Sequence, residues 1–207
     1  MKLLAATRSA GKQREFRRVL EPSGIEVVLP DDVGLHPTRV EDSLELGDSF
    51  EINARRKAEH FARLSGLRTI ADDSGLEVFS LGGAPGVRSR RWAGATGTEA
   101  QVDAANNAEL LRRLAGAAGP RRGARYRCVL VYLAHAGMAP LSFEGTCAGR
   151  ILEAPRGDGG FGYDPYFFSE ELGKTFGEAS PEEKDRVSHR GRALRALLES
   201  LAPAGTY

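Results

Sequence analysis

The sequence has only two cysteines and no long apolar run, and each shortage excludes a class of protein. Cys128 and Cys147 both lie in apolar stretches, which favours a reduced protein over a disulfide-bonded secreted one. No window approaches the ~18 apolar residues of a membrane span. The apolar run near the amino terminus is too brief for a signal peptide. We therefore expect a soluble, cytoplasmic protein without a membrane partner.

A surplus of charge is also missing. Lys and Arg number 29 against 28 for Asp and Glu, which leaves a net charge of +1. Nucleic-acid-binding domains usually have a strongly basic balance, so we expect no nucleic-acid partner. No group of Cys and His has the spacing of a zinc site either.

Glycine, by contrast, is abundant. The chain has 25 glycines in 207 residues, compared with a usual share of about 7%. Many of them lie in "GLEVFSLGGAPG", "GTCAG" and "GDGGFGYDP" rather than in linkers. This placement indicates a backbone that folds tightly around something small.

Hydrophobic periodicity and turn signals predict an α/β fold in one domain, residues 1–207, with room for two lobes. The first half is predicted to contain a strand over 1–6, a helix that stops near Pro22, a strand over 25–30, a helix from Asp48 to Gly66 and a strand over 67–71. Glu51 is the predicted capping-box partner of Asp48. The second half is predicted to contain a helix from Thr98 to Leu114, a hairpin of strands 126–134 and 141–152, and helices that begin at Ser180 and Ser188. Because strands and helices alternate around one hairpin, we expect a mixed sheet.

The segment "TRSAGK" is predicted to form a strand–turn–helix junction, with Thr7, Ser9, Gly11 and Lys12 at the turn. Backbone N–H groups at a helix start attract anions, and a lysine there adds a positive charge. The spacing is not that of a Walker A motif. Phosphate binding and an ordinary polar turn both remain open.

Carboxylates cluster in two segments. Asp72 and Asp73 directly follow the predicted strand 67–71, and Glu45 precedes a glycine and a helix start. Mg²⁺ prefers one or two carboxylates together with substrate phosphates and water, so these three side chains could hold it. The alternatives are an Asx-turn or helix cap at Asp72 and Asp73, and a solvated loop at Glu45. Asn53 and Lys57, four residues apart on the next helix, could face the same site.

Two further segments could bind a nucleobase. Phe161 and Tyr163 lie among glycines, a setting that suits stacking on a base but also core packing. Lys184, His189 and Arg190 lie near a helix start, and His and Arg donors could bind a carbonyl, which favours a 6-oxo purine. The alternative for the second segment is a solvated basic helix start. A nucleophilic triad is unsupported, because nothing orients His189 toward a Ser or Cys.

Five segments in this order carry a resemblance: "TRSAGK", "ELGDSFEINARRKA", "ADDSGLEVFSLGGAPGVRSRRWAG", "GFGYDP" and "KDRVSHRGRAL". The chain resembles the inosine/xanthosine triphosphate pyrophosphatase family over nearly its whole length. The resemblance implies an elongated, two-lobed α/β fold around a central mixed sheet, with a cleft between the lobes, and a homodimer. It implies Mg²⁺-dependent hydrolysis of non-standard purine nucleotides (ITP or dITP, XTP or dXTP) to the monophosphate and pyrophosphate, which cleanses the nucleotide pool.

The resemblance also implies roles for individual residues. It implies that Glu45 and Asp73 ligate Mg²⁺ with Asp72 in support, that Asp73 is the catalytic base or the group that orients water, and that Ser74 contacts substrate. The residues implied to bind the triphosphate are Thr7, Arg8, Ser9, Ala10, Gly11 and Lys12. The residues implied to frame the base are Phe161, Gly162, Tyr163, Asp164, Lys184, His189 and Arg190.

The sequence departs from the family pattern in two segments, and three rival functions are left as alternatives. Ser9 replaces the usual Asn and has a shorter reach, and "GVRSRRWAG" carries arginines and Trp92 where smaller residues or tyrosine are expected. The rivals are a pyrophosphatase for modified pyrimidine nucleotides, a phosphatase that releases orthophosphate, and a nucleotide-binding protein without catalysis.

Overall fold

The computed structural model describes residues 1–202. The α-helices within this range are α1 (Ala10–Leu20), α2 (Glu41–Leu44), α3 (Phe50–Ser65), α4 (Glu99–Arg113), α5 (Pro181–Val187) and α6 (His189–Leu201). The strands are β1 (Lys2–Ala5), β2 (Glu26–Val28), β3 (Thr69–Val78), β4 (Gly123–Leu133), β5 (Leu141–Ile151), β6 (Phe167–Ser169) and β7 (Lys174–Thr175). No helix of this range is both long and apolar enough to cross a bilayer.

The strands form one mixed sheet, which confirms the predicted α/β class. The order across the sheet is β2, β1, β3, β4, β5, β6, β7. Strand β1 pairs in parallel with β2 and with β3. Strand β6 pairs antiparallel with β5 and with β7. The hairpin strands predicted over 126–134 and 141–152 are neighbours as β4 and β5.

Two helix starts follow the sequence pattern and one does not. Thr98 with Gln101, and Ser180 with Glu183, form complete capping boxes at α4 and α5. The prediction of Asp48 as the cap of α3 is wrong. Ser49 is the cap, and its side chain accepts from the backbone N–H of Ile52. Ser49 has an extended backbone and its side chain satisfies the Ile52 N–H, so the helix begins one residue later, at Phe50.

The strand predicted over 67–71 is longer than expected. Strand β3 continues through Asp72 and Asp73 to Val78, so the two carboxylates lie within the strand and not at its end. The prediction of a strand end assumed that buried carboxylates interrupt a buried strand, since burying a charge is costly. The structure satisfies both carboxylates inside the fold, as described below.

The chain divides into two compact units. Within the described residues, unit 1 comprises residues 1–73, 128–145 and 190–202, and unit 2 comprises residues 74–127 and 146–189. In the described part of unit 1, Phe16 of α1 and Leu194 of α6 pack in one buried cluster with Leu3, Ile70 and Leu130. Both cysteines of the chain, Cys128 and Cys147, are buried and free.

The core of unit 2 combines aliphatic side chains with four aromatic ones, and a buried arginine lies beside it. Tyr126 packs on Phe167 with ring centroids 4.6 Å apart, and Phe167 packs on Phe176 at 5.1 Å. Arg122 lies at one side of this core. Its guanidinium donates to the backbone carbonyls of Ile151, Leu152, Leu114 and Ala117 at 2.6, 2.9, 3.3 and 3.3 Å. One side chain therefore satisfies carbonyl groups from two separate stretches of chain.

We expect Arg122→Met to lower the free energy of unfolding by about 3 kcal/mol, because it leaves several buried carbonyls without a donor. Urea denaturation followed by circular dichroism measures the change. Arg121→Met is the matched control, since the Arg121 guanidinium donates to Gly116 at an exposed site. A loss in Arg122→Met no greater than that in the control would contradict the assigned role.

Candidate active site

The turn between β1 and α1 brings a lysine to a buried carboxylate. Ser9 is the N-cap of α1, but its side chain makes no capping hydrogen bond. Its backbone N–H donates to Thr7 Oγ1 at 3.2 Å, which closes the turn. Ala10 and Gly11 begin the helix, and Lys12 Nζ lies 3.0 Å from Asp72 Oδ1. The amino end of α1 and the Lys12 charge therefore belong to one site with β3.

Arg8, in the same turn, makes contacts other than those expected of a phosphate ligand. Its guanidinium donates to both carboxylate oxygens of Glu41 at 3.0 Å and to the carbonyl of Leu35 at 2.7 Å. It also donates to Asp31 at 3.0 Å. Arg8 thus ties the turn to the segment that leads to Glu45. Its role in binding substrate stays a prediction.

Helix α3 contributes two buried polar side chains, Asn53 and Lys57, from the same face. Asn53 accepts from the backbone N–H of Gly47 at 2.8 Å and donates to Asp73 Oδ2 at 2.8 Å. A Cβ at position 47 would lie 2.6 Å from Asn53 Oδ1, so this approach requires glycine. The amide of Asn53 therefore links the Glu45 segment to β3.

Lys57 lies between the carboxylates. Its Nζ donates to Glu45 Oε1 at 2.5 Å and to the backbone carbonyl of Asp72 at 2.6 Å. The positive charge of Lys57, with that of Lys12, lowers the pKa of Glu45 to about 2 although burial opposes the shift. Burial also disfavours the charged form of Lys57, but Glu45 and the two aspartates still raise its pKa. Both side chains are therefore charged.

Asp72 is a fully buried anion surrounded by cations. Arg190 Nε donates to Asp72 Oδ2 at 3.0 Å, and Lys12 contacts the other oxygen. Burial alone would raise the pKa of Asp72, but Lys12, Arg190 and Lys57 hold it well below its usual range. Arg190 is in turn bonded to the buried carboxylate of Glu15 on α1. A chain of alternating charges thus runs through unit 1.

Asp73, the neighbouring residue, behaves differently. Successive side chains of a strand point to opposite faces, and the Asp73 carboxylate is bonded by the neutral amide of Asn53. Burial raises the pKa of Asp73 and the Glu45 charge adds to the effect, while Lys57 and Lys12 oppose it. Asp73 is therefore a more basic carboxylate than Asp72 or Glu45.

Two of the three carboxylates at this site suit a hard divalent cation, and the third does not. Residues 1–202 contain no group of three or more His, Cys, Asp or Glu side chains arranged as a metal centre. Asp72 is bonded to Lys12 and Arg190, which makes it a poor direct ligand. Glu45 and Asp73 both interact with Lys57. A pair of carboxylates fits Mg²⁺, which completes its shell with water and phosphate oxygens.

In unit 2 the predicted base-binding residues form a second cluster around a buried ion pair. Lys184 Nζ donates to Asp164 Oδ2 at 2.6 Å, and the backbone N–H of Phe161 donates to the same oxygen at 2.8 Å. Lys184 Nζ also lies 4.5 Å from the centroid of the Phe161 ring. His189 stacks on Tyr126, with centroids 4.6 Å apart and an interplanar angle of 7°.

His189 and Arg190 are consecutive residues at the start of α6, but their side chains have different partners. His189 stacks on Tyr126, whereas Arg190 bonds Asp72 and Glu15. Binding of a base by Arg190 stays a prediction. Ser74 follows Asp73 on β3 and is half-buried, and its substrate contact also stays a prediction.

Sequence reasoning missed Glu15 and Tyr126. Glu15 occurs among the charged residues of an amphipathic helix, and Tyr126 is the first residue of the apolar strand predicted over 126–134. Neither position carries a local signal of a polar role, because the partners of both residues are far away in the chain.

This fold, with buried lysines and carboxylates at the start of a helix and on a strand, is typical of α/β enzymes that bind phosphorylated small molecules. Comparison with known proteins is more specific. The Ham1 family model matches residues 3–200, so the chain belongs to the Ham1 family. The resemblance found in the sequence is confirmed, and with it the prediction that the chain is an enzyme.

Individual relatives match over nearly their whole length. The chain is 47% identical over 201 residues to the dITP/XTP pyrophosphatase of Ralstonia nicotianae. The aligned region covers 97% of this chain and 96% of that protein. The structure of a Ham1 protein from Coxiella burnetii has a TM-score of 0.84 at 35% identity and covers 99% of this chain and 100% of that chain. That of a nucleoside-triphosphatase / dITP/XTP pyrophosphatase from Mycobacterium abscessus has a TM-score of 0.72 at 44% identity, with coverage of 96% and 99%.

We expect Arg190→Met to lower the free energy of unfolding by about 3–5 kcal/mol, because it removes a buried cation from two buried carboxylates. Urea denaturation near neutral pH measures the loss. The control is Arg55→Met, which removes an exposed ion pair with Glu59 on α3 and should hardly change the urea midpoint. Equal midpoints for the two variants would show that the buried charges do not need Arg190.

Proposed function

We propose that this chain is a Mg²⁺-dependent nucleoside triphosphate pyrophosphatase that converts ITP or dITP and XTP or dXTP to the monophosphate and pyrophosphate. The observation that carries the proposal is the Lys12–Lys57–Glu45–Asp73 cluster in unit 1, in a Ham1 family chain whose relatives are named dITP/XTP pyrophosphatases. Removal of non-standard purine nucleotides from the nucleotide pool is the corresponding role. Action as a cytoplasmic homodimer stays a prediction from the resemblance.

Cations at the amino end of α1 suit a triphosphate. The turn Thr7–Lys12 offers backbone N–H groups of the helix start together with the ammonium of Lys12. Glu45 and Asp73 would hold Mg²⁺, which neutralises the charge that develops on the departing pyrophosphate. Lys12 adds a second positive charge at the same place. Asp72 supports the arrangement by holding Lys12 in position.

Asp73 is the group best suited to orient the attacking water. The amide of Asn53 donates to Asp73 Oδ2 at 2.8 Å and so restricts the orientation of the carboxylate. A carboxylate of this kind can accept a proton from water as the water attacks the α-phosphorus. Phosphoryl-type transfer depends mainly on positioning and electrostatic stabilisation, which these residues supply.

Groups of unit 2 would select the base. Lys184 and His189 can donate to the 6-oxo group of hypoxanthine or xanthine, whereas adenine presents an amino group that accepts no such bond. Phe161 offers a ring for stacking. A buried donor left without an acceptor costs enough to disfavour adenine nucleotides by orders of magnitude in kcat/KM.

A product assay tests the reaction and the substrate class together. Purified protein with Mg²⁺ is incubated separately with dITP, XTP, dATP, dGTP and dTTP, and pyrophosphate and orthophosphate are measured in parallel. We expect pyrophosphate from dITP and XTP and little from dATP, whose 6-amino group offers no acceptor. Little pyrophosphate from dGTP would show that the pocket also rejects a 2-amino group. Orthophosphate would indicate a phosphatase, turnover of dTTP a pyrimidine enzyme, and absence of any product a binding protein.

We expect Asp73→Asn to lower kcat for dITP by at least about a thousandfold, because the amide cannot accept the proton of the attacking water. The melting temperature should stay close to that of the unchanged protein, since Asn can still bond Asn53. Asp42→Asn, at an exposed site on α2, is the control and should keep full activity. Retained turnover in Asp73→Asn would exclude Asp73 as the catalytic carboxylate.

A further inference from the structure

Helix α4 binds one residue of the glycine-rich loop through both of its backbone polar groups. The backbone N–H of Gly162 donates to Asp103 Oδ2 at 2.7 Å. Its carbonyl accepts from Asn107 Nδ2 at 2.9 Å. Asp103 and Asn107 are four residues apart and therefore lie on the same face of the helix. We call this pair of contacts the Gly162 clamp.

The Asn107 side chain of the clamp is held by a second bond, whereas the further contact of Asp103 is long and lies at an exposed site. Asn107 is buried, and its Nδ2 also donates to the backbone carbonyl of Asp103 at 2.9 Å. The other carboxylate oxygen of Asp103 accepts from Arg90 Nη1 at 3.4 Å. The Thr98–Gln101 capping box stabilises the start of the same helix. The clamp is therefore built on a rigid element rather than on a second loop.

Gly162 lies between the two rings of the loop. Its φ of 65° is in the left-handed region, which glycine adopts without strain. The preceding residue, Phe161, has its ring beside Lys184 Nζ. The following residue, Tyr163, donates its hydroxyl to the carbonyl of Ser89 at 2.8 Å. Since glycine has no side chain to pack, the position of this peptide depends on its two hydrogen bonds.

We propose that Asp103 and Asn107 are positioning residues for base selection. By holding Gly162, they set the Phe161 ring relative to Lys184 and Asp164, the groups assigned above to the base. This inference rests on the proposed function. Because Asp103 and Asn107 bond the loop that carries Phe161, we expect their loss to affect substrate binding and base discrimination and to leave the chemical step intact.

Steady-state kinetics of Asp103→Leu with dITP and dATP tests the inference. Leucine has a similar shape but cannot accept from Gly162. We expect KM for dITP to rise about tenfold, with kcat within about twofold of that of the unchanged protein. The preference for dITP over dATP in kcat/KM should fall by a similar factor. Asn107→Ser, which is too short to reach Gly162, should change the same quantities in the same direction and serves if Asp103→Leu does not fold.

Two controls separate the clamp from a general structural effect. Asp103→Asn keeps an acceptor for the Gly162 N–H and should restore KM and discrimination to nearly the original values. Arg90→Met removes the ion pair of Asp103 but leaves both bonds to Gly162, so its kinetics should be unchanged. If Arg90→Met reproduces the effect of Asp103→Leu, the ion pair is responsible and the inference is wrong.

Amide hydrogen exchange of the Gly162 segment provides a readout that does not depend on turnover. Exchange in the peptide that contains Gly162 should accelerate in Asp103→Leu and not in Arg90→Met. Faster exchange with unchanged kinetics, or a fall in kcat alone, would overturn the inference while the proposed function stands. If the protein without substitutions releases no pyrophosphate from dITP, the proposed function is wrong, and the inference that rests on it is wrong as well.

Discussion

The burial of one negative charge, on Asp72, is the constraint on which the organisation of unit 1 depends. A carboxylate without water is tolerated only when cations and hydrogen bonds compensate for the lost hydration. Here the cations come from three helices: Lys12 on α1, Lys57 on α3 and Arg190 on α6. Because each must reach the same strand, the positions of the three helices around β3 are coupled to one another through this carboxylate.

The same charges create three carboxylates of different character within one site. Lys57 lowers the pKa of Glu45 to about 2, and surrounding cations keep Asp72 ionised. Asp73 is bonded by a neutral amide, and burial raises its pKa. Carboxylates whose environments shift their pKa values in opposite directions can take different roles. In the proposed reaction, Asp72 positions Lys12, Glu45 holds the metal with Asp73, and Asp73 also orients water.

Unit 2 meets a different requirement, the positioning of a glycine-rich loop. Glycines let the backbone turn tightly, but they supply no side chains for packing. The loop is therefore held by polar contacts from its surroundings: Asp103 and Asn107 bond Gly162, and Lys184 bonds Asp164. The hydroxyl of Tyr163 adds a bond to Ser89. Contacts with neighbouring elements therefore fix the conformation of the loop, which its glycines alone do not fix.

Local patterns in the sequence determined the alternation of helices and strands, the caps at Thr98 and Ser180, and the family, because these depend on residues close together in the chain. The tertiary structure alone decided that β3 continues through Asp72 and Asp73, that Arg190 pairs with Asp72 and Glu15, and that α4 holds Gly162. Burial of a carboxylate depends on cations from distant segments, so no local pattern could show that it would be compensated. The charges become partners only once the chain has folded.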